Sequence, residues 1–273
     1  MGDFFQSGLI TTFHRLGYYD PEVVERELEE FAAYRAITLI LPALYAELKR
    51  PALKSILGEL KKVRYLKRIV VSLDQASPAQ FAHAKEFFSS VAQPCTIIWH
   101  RGPGVQSLLR EMLDLDLDPG PEGKGRGVWL AFGYVIAAGD SQVIALHDCD
   151  ILTYNRELLA RLVYPVVSYR HNYEYCKGYY SRITTRMHGR VTRLFTTPLI
   201  RALGKMLGNL EILSYYDSFR YMLSGEFAML ADLAVSVRIP SDWGLEVGML
   251  AEVYRNCALK RICQAAICEN YDH

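Results

Sequence analysis

The chain has 273 residues, of which 51% are hydrophobic and 22% charged, and its formal net charge at pH 7 is +1. This composition predicts a compact globular protein that buries a full core as one large domain or as two closely packed ones. The balanced charge gives no support for nucleic-acid binding. The N-terminus lacks the pattern of a secretory signal, and no apolar run reaches the roughly 20 residues that cross a bilayer, so no membrane span is expected.

Six cysteines are scattered along the chain without the paired spacing of a zinc ribbon. Their wide separation in a large chain does not favour a disulfide scaffold either. Reduced thiols are the simplest account, and we therefore expect a cytoplasmic protein.

The first half of the chain alternates between apolar runs and helix-like stretches. Asp20 and Pro21 open an acidic helix as its N-cap and first helical residue. Strands are then predicted at 37–44, 69–74, 96–99 and 143–146, and helices at 46–63, 78–91 and 125–138. This alternation predicts parallel strands with ligands gathered at their carboxyl ends. No Gly-x-Gly-x-x-Gly follows the first of these strands and no Walker lysine motif occurs, which argues against a dinucleotide dehydrogenase and a P-loop enzyme.

Beyond residue 150 the chain becomes rich in tyrosine and arginine. Alternation predicts a strand around 167–170, and a helix is expected over 190–207 with Pro198 in its interior. The Asp-, Gly- and Pro-rich segment 114–127 is predicted to be a flexible loop that orders over a ligand. Homodimerisation through the aromatic second half is also predicted, because aromatic residues favour interfaces.

An Asp-x-Asp pair, Asp148 and Asp150, directly follows the predicted strand 143–146. Carboxylates that leave a buried strand suit Mg²⁺ or Mn²⁺, and a diphosphate can supply the remaining ligands. Lys124 stands between two glycines that let a backbone approach a phosphate, so its charge is suited to the same diphosphate. The same Asp-x-Asp spacing recurs within 114–118, but there it lies in a loop with no strand before it. The sequence therefore favours Asp148 and Asp150 as the metal and diphosphate centre.

Seven short motifs occur in an order that covers most of the chain. They are Leu41-Pro42-Ala43-Leu44 with Glu47, Asp74 at a strand end, Gly123-Lys124-Gly125, Asp148-Cys149-Asp150, Gly189-Arg190-Val191-Thr192, Ser224-Gly225-Glu226-Phe227 and Trp243-Gly244-Leu245-Glu246-Val247-Gly248. Together they resemble the glucosyl-3-phosphoglycerate synthases, which are retaining glycosyltransferases of the GT-A fold that use a nucleotide-sugar donor.

The resemblance implies an α/β protein with a GT-A type nucleotide-binding fold, in which a mostly parallel, doubly wound sheet is followed by a C-terminal acceptor-binding subdomain. It divides the chain into an N-terminal helical extension (1–36), a nucleotide-sugar-binding half (37–152) and an acceptor-binding half (153–273) of the same domain. The implied reaction moves glucose from UDP- or GDP-glucose to 3-phosphoglycerate, with Mg²⁺ or Mn²⁺ as the cofactor.

The resemblance also implies roles for individual residues. Contacts to the donor are expected from Pro42, Ala43, Leu44, Glu47, Asp74, Lys124 and Asp148. The acceptor phosphate is expected on Gly189, Arg190 and Thr192, and the metal on Asp150 and His273. Lys124, Asp150 and Glu246 are the implied catalytic residues, with Glu246 reaching the sugar hydroxyls. An inverting reaction would need a carboxylate base such as Glu226 or Glu246, but the resemblance argues for retention.

Three departures from the family pattern leave alternatives open. The family commonly has Asn-Glu where this chain has Tyr45 and Ala46, Trp243 stands where a tyrosine is frequent, and His147 precedes the metal motif. The alternatives are a mannosyl-3-phosphoglycerate synthase that uses GDP-mannose, a non-catalytic sugar-nucleotide-binding protein and a metal-dependent nucleotidyltransferase. The last of these usually needs a Gly-rich loop near the first strand, which the sequence lacks.

Overall fold

An eight-stranded sheet organises the computed structural model, which describes residues 8–15, 20–183, 185–208, 210–242 and 244–273. The strands are β1 (Thr11–Phe13), β2 (Ile37–Leu44), β3 (Leu66–Asp74), β4 (Cys95–Trp99), β5 (Val143–Leu146), β6 (Tyr175–Ser181), β7 (Phe227–Leu230) and β8 (Ile262–Asn270). Their order across the sheet is β1-β8-β6-β7-β5-β2-β3-β4. Trp243, one of the departures from the family pattern, lies outside the described residues.

The sheet is mostly parallel, as predicted. Only β7 runs against its neighbours: it pairs antiparallel with β5 on one side and with β6 on the other. All other pairs in the described sheet are parallel. Because β7 bridges β5 and β6, strands from residues 37–152 and strands from residues 153–273 belong to one continuous sheet.

Ten helices accompany these strands in the described part of the chain. They are α1 (Pro21–Ala32), α2 (Pro51–Leu60), α3 (Pro78–Phe88), α4 (Pro103–Asp114), α5 (Lys124–Ala138), α6 (Arg156–Val167), α7 (Thr197–Leu207), α8 (Glu211–Ser218), α9 (Ala231–Ser236) and α10 (Leu245–Asn256). The first four each begin with a proline, which has no N–H to leave unsatisfied at a helix start and whose ring fixes a helical φ. None of the described helices is both long and apolar enough to span a membrane.

The hydrophobic core lies on both faces of the sheet. Along β3, Ile69 and Val71 pack into one cluster, whereas Val70 packs into the other. This alternation follows from the opposite directions of successive side chains in a strand. A sheet that is covered on both faces explains why its central strands are continuous apolar runs.

Several predicted elements differ in the structure. The strand predicted around 167–170 is wrong, because α6 continues to Val167 and the chain then turns. The helix predicted over 190–207 is confirmed as a continuous helical run, but it contains a π-helical stretch at Thr192–Thr196, and Pro198 follows that stretch near the start of α7. The predicted helix 46–63 is a 3₁₀ turn followed by α2, because the residue before Pro51 is biased away from helical geometry.

One predicted loop is shorter in the structure, and four strands were not predicted. The loop predicted over 114–127 is shorter, since α4 ends at Asp114 and α5 begins at Lys124. The strands β1, β6, β7 and β8 have no counterpart in the predicted elements. The segment 1–36 contains the expected helix α1, and it also contains β1, which pairs with β8.

Candidate active site

The candidate site lies at the carboxyl ends of β2, β3 and β5. Leu44 at the end of β2 pairs in register with Asp74 at the end of β3. On the other side of β2, the strand β5 ends at Leu146, directly before the segment that carries Asp148 and Asp150. The parallel register thus brings together the donor residues that the sequence placed at separate strand ends.

Lys124 forms the centre of an ion-pair cluster. Its Nζ lies 2.7 Å from Asp148 Oδ1 and 3.1 Å from Glu246 Oε1. Lys124 is the first residue of α5, and Glu246 lies in the first turn of α10. Burial opposes the charge on Lys124, but Asp148 and Glu246 outweigh that effect and raise its pKa above the ordinary value. The structure therefore pairs Lys124, a permanent cation, with one residue predicted to contact the donor, Asp148, and with one predicted catalytic residue, Glu246.

Close backbone packing explains the glycines beside Lys124. A Cβ at Gly123 would lie 2.6 Å from the Ser241 carbonyl oxygen, and one at Gly125 would overlap the Pro240 carbonyl oxygen. The Arg126 N–H donates to the Ser241 carbonyl over 2.9 Å. The segment before α10 thus lies directly against the start of α5, and this contact fixes Lys124 relative to Glu246.

Gly225 has a similar packing role beside Asp148. A Cβ at Gly225 would lie 2.5 Å from Asp148 Oδ2, so only glycine leaves room for this carboxylate. The Ser-Gly-Glu motif directly before β7 therefore packs against the first carboxylate of the Asp-x-Asp pair.

Asp150 and His273 lie close enough to interact electrostatically. Burial and the negative charge of Asp148 raise the pKa of Asp150, whereas His273 lowers it. The C-terminal segment reaches this position through two backbone contacts, from the Leu152 N–H to the Asp272 carbonyl at 2.8 Å and from the Asp272 N–H to Thr153 Oγ1 at 3.1 Å.

The crowded negative charge around Asp150 is an environment that a divalent cation would relieve. His273 would first have to turn away from Arg182, whose Nη2 lies 2.9 Å from Nδ1 and 3.2 Å from Nε2. Within the described residues, no group of three or more His, Cys, Asp or Glu side chains is arranged to hold a metal. Asp150 and His273 therefore fit a cation that also draws ligands from a bound diphosphate, which is the arrangement expected from the sequence.

Glu47 and Asp74, the two carboxylates predicted to contact the donor nucleoside, lie in different electrostatic environments. Glu47 Oε2 accepts from the Leu44 N–H over 3.0 Å, and burial together with Asp150 and Asp148 raises the pKa of Glu47 to about 7. His100 has the opposite effect on Asp74: its Nδ1 lies 3.7 Å from Asp74 Oδ1, and it holds the pKa of Asp74 below the ordinary value.

His100 is a neighbour of the site that the sequence did not indicate. Its Nε2 lies 2.7 Å from Ser72 Oγ, and that hydroxyl also donates to the Gly127 carbonyl over 2.8 Å. Its position directly after the predicted strand 96–99 was the available signal, since ligands gather at such strand ends.

The predicted acceptor segment presents groups that can bind an anion. Gly189 has a φ of +74°, a backbone geometry that favours glycine. Arg190 is exposed and has no polar partner among the described residues. Thr192 is buried, and its Oγ1 has no hydrogen-bond partner in the described part of the chain. An exposed guanidinium and an unsatisfied hydroxyl two residues apart in the chain are groups that suit a phosphate.

Two buried ionisable residues lie next to the site. Glu226 is fully buried, accepts from the Tyr271 hydroxyl over 2.7 Å, and has a pKa raised to about 7 by burial and by Asp148. Lys177, in β6, is 1% exposed, and its Nζ has no hydrogen-bond partner among the described residues. In the sequence, Lys177 is a single charged residue within an aromatic run, and this run was not predicted to be a strand.

The chain is similar over its full length to curated glucosyl-3-phosphoglycerate synthases. It is 49% identical over 273 residues to the enzyme of Persephonella marina, a match that covers all of this chain and 68% of the relative. It is 43% identical over 275 residues to the enzyme of Methanococcoides burtonii, covering 99% of this chain and 67% of the relative. A scan against models of protein families finds no match.

Solved structures of glucosyl-3-phosphoglycerate synthase from Mycobacterium tuberculosis share the fold. The complex of that protein with Mn²⁺ and UDP-glucose has a TM-score of 0.69 at 20% identity, covering 97% of this chain and 78% of the other. Its complex with phosphoglyceric acid has a TM-score of 0.68 at 21% identity, covering 97% and 80%. These structural matches confirm the predicted GT-A type fold. The two relatives, which match this chain along almost its whole length, confirm the resemblance: the chain belongs to the glucosyl-3-phosphoglycerate synthase family of glycosyltransferases.

Proposed function

We propose that this chain transfers glucose from UDP-glucose or GDP-glucose to 3-phosphoglycerate. Its 49% identity to a curated glucosyl-3-phosphoglycerate synthase is the observation that carries the proposal. The ion-pair cluster of Lys124, Asp148 and Glu246 near the strand ends supports it, because a permanent cation beside carboxylates is suited to a donor diphosphate and its metal.

The donor half of the site binds the nucleotide and stabilises the leaving diphosphate. Residues 42–44 with Glu47 and Asp74 surround the nucleoside, and Lys124 faces the diphosphate. A preorganised cation at this position stabilises negative charge as it develops on the leaving group. Asp150 and His273 would hold Mg²⁺ or Mn²⁺, and the bound metal would supply positive charge to the same diphosphate.

The acceptor half anchors 3-phosphoglycerate by its phosphate. The Arg190 guanidinium provides paired hydrogen bonds, and the unsatisfied Thr192 hydroxyl and the backbone at Gly189 add to them. Anchoring the phosphate holds the acceptor hydroxyl against the sugar on the face that the diphosphate leaves, and such positioning supplies much of the rate. Glu246 contacts the sugar hydroxyls, and the anomeric configuration is retained.

The domain division, the location and the oligomeric state complete the proposal. Residues 37–152 serve the donor and residues 153–273 the acceptor. The six free cysteines support a location in the reducing cytoplasm.

A homodimer is supported by exposed apolar side chains near and along α7, namely Leu194, Phe195, Leu199, Met206 and Leu207. A single species at monomer mass in light scattering would contradict the dimer.

The test is nucleoside diphosphate release with UDP-glucose, GDP-glucose and GDP-mannose, each with and without 3-phosphoglycerate and Mg²⁺. We expect release from a glucose donor that needs both acceptor and metal, and its loss in Asp150→Ala. Release from GDP-mannose alone would point to the mannosyl enzyme. No acceptor-dependent release with any donor would refute the proposed transfer.

A further inference from the structure

Lys177 is a buried cation for which the fold provides no direct partner. It pairs in register with Phe227 of the antiparallel strand β7, and its Nζ lies 5.9 Å from the centre of that ring. No oxygen among the described residues accepts a hydrogen bond from the Nζ. A buried ammonium without such bonds is costly to stability, so its presence calls for a role outside folding.

Lys177 lies on the same face of β6 as Tyr175, and Tyr175 and Phe227 pack in one core cluster with Leu245 and Met249 of α10, the helix that carries Glu246. Burial lowers the pKa of Lys177 to about 8, and Glu246 is the strongest of the carboxylates that oppose this effect, followed by Glu226. Lys124 acts in the opposite direction as a like charge. Since a pKa of about 8 leaves Lys177 mostly protonated at pH 7, the site contains two cations that both act on Glu246.

Only one of these two cations holds Glu246 in the structure. Lys124 makes the 3.1 Å ion pair with Glu246 and also binds Asp148 at 2.7 Å. In the proposed reaction the donor diphosphate competes for the same ammonium with stronger charge. Glu246 then loses its partner at the moment when it has to contact the sugar, and Lys177 is the remaining cation with an open hydrogen-bonding capacity.

We propose that Lys177 is a positioning residue. When the donor diphosphate engages Lys124, Lys177 replaces Lys124 as the ion-pair partner of Glu246 and holds the Glu246 carboxylate toward the sugar. The inference rests on the proposed function, since it needs a diphosphate at Lys124. It gives the unpaired ammonium a role, because its hydrogen-bonding capacity is available to Glu246 once a donor diphosphate engages Lys124.

The test compares Lys177→Met with a matched control on the same strand, Cys176→Ala. Cys176 is buried in the opposite core cluster and has no place in the site. We expect Lys177→Met to raise Tm by roughly 2–4 °C, because an unpaired buried charge is replaced by an apolar chain, and to lower kcat about 10- to 100-fold. Cys176→Ala should lower Tm and leave kcat unchanged. Lys177→Gln is the second neutral variant if the methionine variant does not fold.

A double-mutant cycle with Glu246→Gln separates positioning from a structural effect. If Lys177 acts through Glu246, the double variant has the kcat of Glu246→Gln alone, within about twofold. Losses that multiply, or a Lys177→Met kcat close to that of the unaltered protein, would overturn the inference while leaving the proposed function intact. An unaltered protein without acceptor-dependent release would refute the proposed function, and the inference with it.

Discussion

Replacing Gly125 by alanine tests whether the contact between α5 and the segment before α10 sets the geometry of the site. The new Cβ would overlap the Pro240 carbonyl oxygen and lie 2.8 Å from the carbonyl carbons of Pro240 and Ser241. Restoring an ordinary 3.4 Å contact to those carbons alone requires about 0.6 Å of movement, and the overlapped oxygen requires more. The atoms that clash belong to the backbone and cannot rotate away as a side chain can, so the start of α5 and the segment before α10 must shift, and Lys124 and Glu246 separate by a distance on the order of 1 Å. A misplacement of that size in an active site costs about 100-fold in rate.

Gly133 in the same helix is the matched control. It is exposed, and a Cβ there would have no atom within 4 Å. We expect Gly133→Ala to stabilise the protein by about 0.5–1 kcal/mol, because alanine suits a helix better than glycine. Gly125→Ala should instead cost at least about 2 kcal/mol, as overpacking of a core does, and lower kcat about 100-fold. Thermal unfolding and nucleoside diphosphate release measure the two effects. Equal stability and equal kcat for the two variants would refute the assigned packing role.

Three further predictions concern single side chains of the site. Asp150→Ala should abolish metal-dependent turnover. It should not lower Tm, because removing this carboxylate relieves its electrostatic repulsion with Asp148. A fall in Tm, or residual turnover stimulated by Mg²⁺, would contradict these expectations. Arg190→Ala should raise the KM for 3-phosphoglycerate about 10- to 100-fold. The donor KM and Tm should stay unchanged, since the side chain has no polar partner in the described structure. An unchanged acceptor KM would show that Arg190 does not belong to the acceptor site. In metal-free protein, Glu47 binds its proton more tightly when folded, since burial raises its pKa from 4.5 to about 7, so stability should fall as pH rises through that window. Glu47→Gln should flatten this fall in urea unfolding measured between pH 5 and pH 8, and an identical slope in both proteins would contradict the assignment.

The parts of the fold that could be predicted are those whose burial is local in sequence. The strand 143–146 was predicted at its observed limits because it is an apolar run covered on both faces, with turn residues on either side. The strand β6 was missed because it contains Lys177, Gly178 and three tyrosines in place of an apolar run. It is a strand because β7 and β8, far away in sequence, pair with it.

The same distinction applies to the candidate site. The position of Asp148 and Asp150 at a strand end follows from the order of adjacent segments. The contact between Lys124 and Glu246 joins positions 122 residues apart, and no spacing rule predicts it. The resemblance named both residues, and the structure adds that they are each other's partners. Lys177 was not predicted because its environment depends entirely on the tertiary fold.

The pairing of β1 with β8 has a consequence for how the protein folds during its synthesis. The Gln264 side chain donates to Thr12 Oγ1 across 252 positions of the chain, and in the described sheet β1 has no strand to pair with until β8 has been made. The segment after β8 also brings Tyr271 to Glu226 and His273 to the neighbourhood of Asp150. Contacts of such long sequence separation form late, because the entropy of loop closure must be overcome first. A nascent chain therefore contains the apolar strands β2, β3 and β5 well before it can assemble the complete candidate site, and maturation of that site depends on the synthesis of a single late strand.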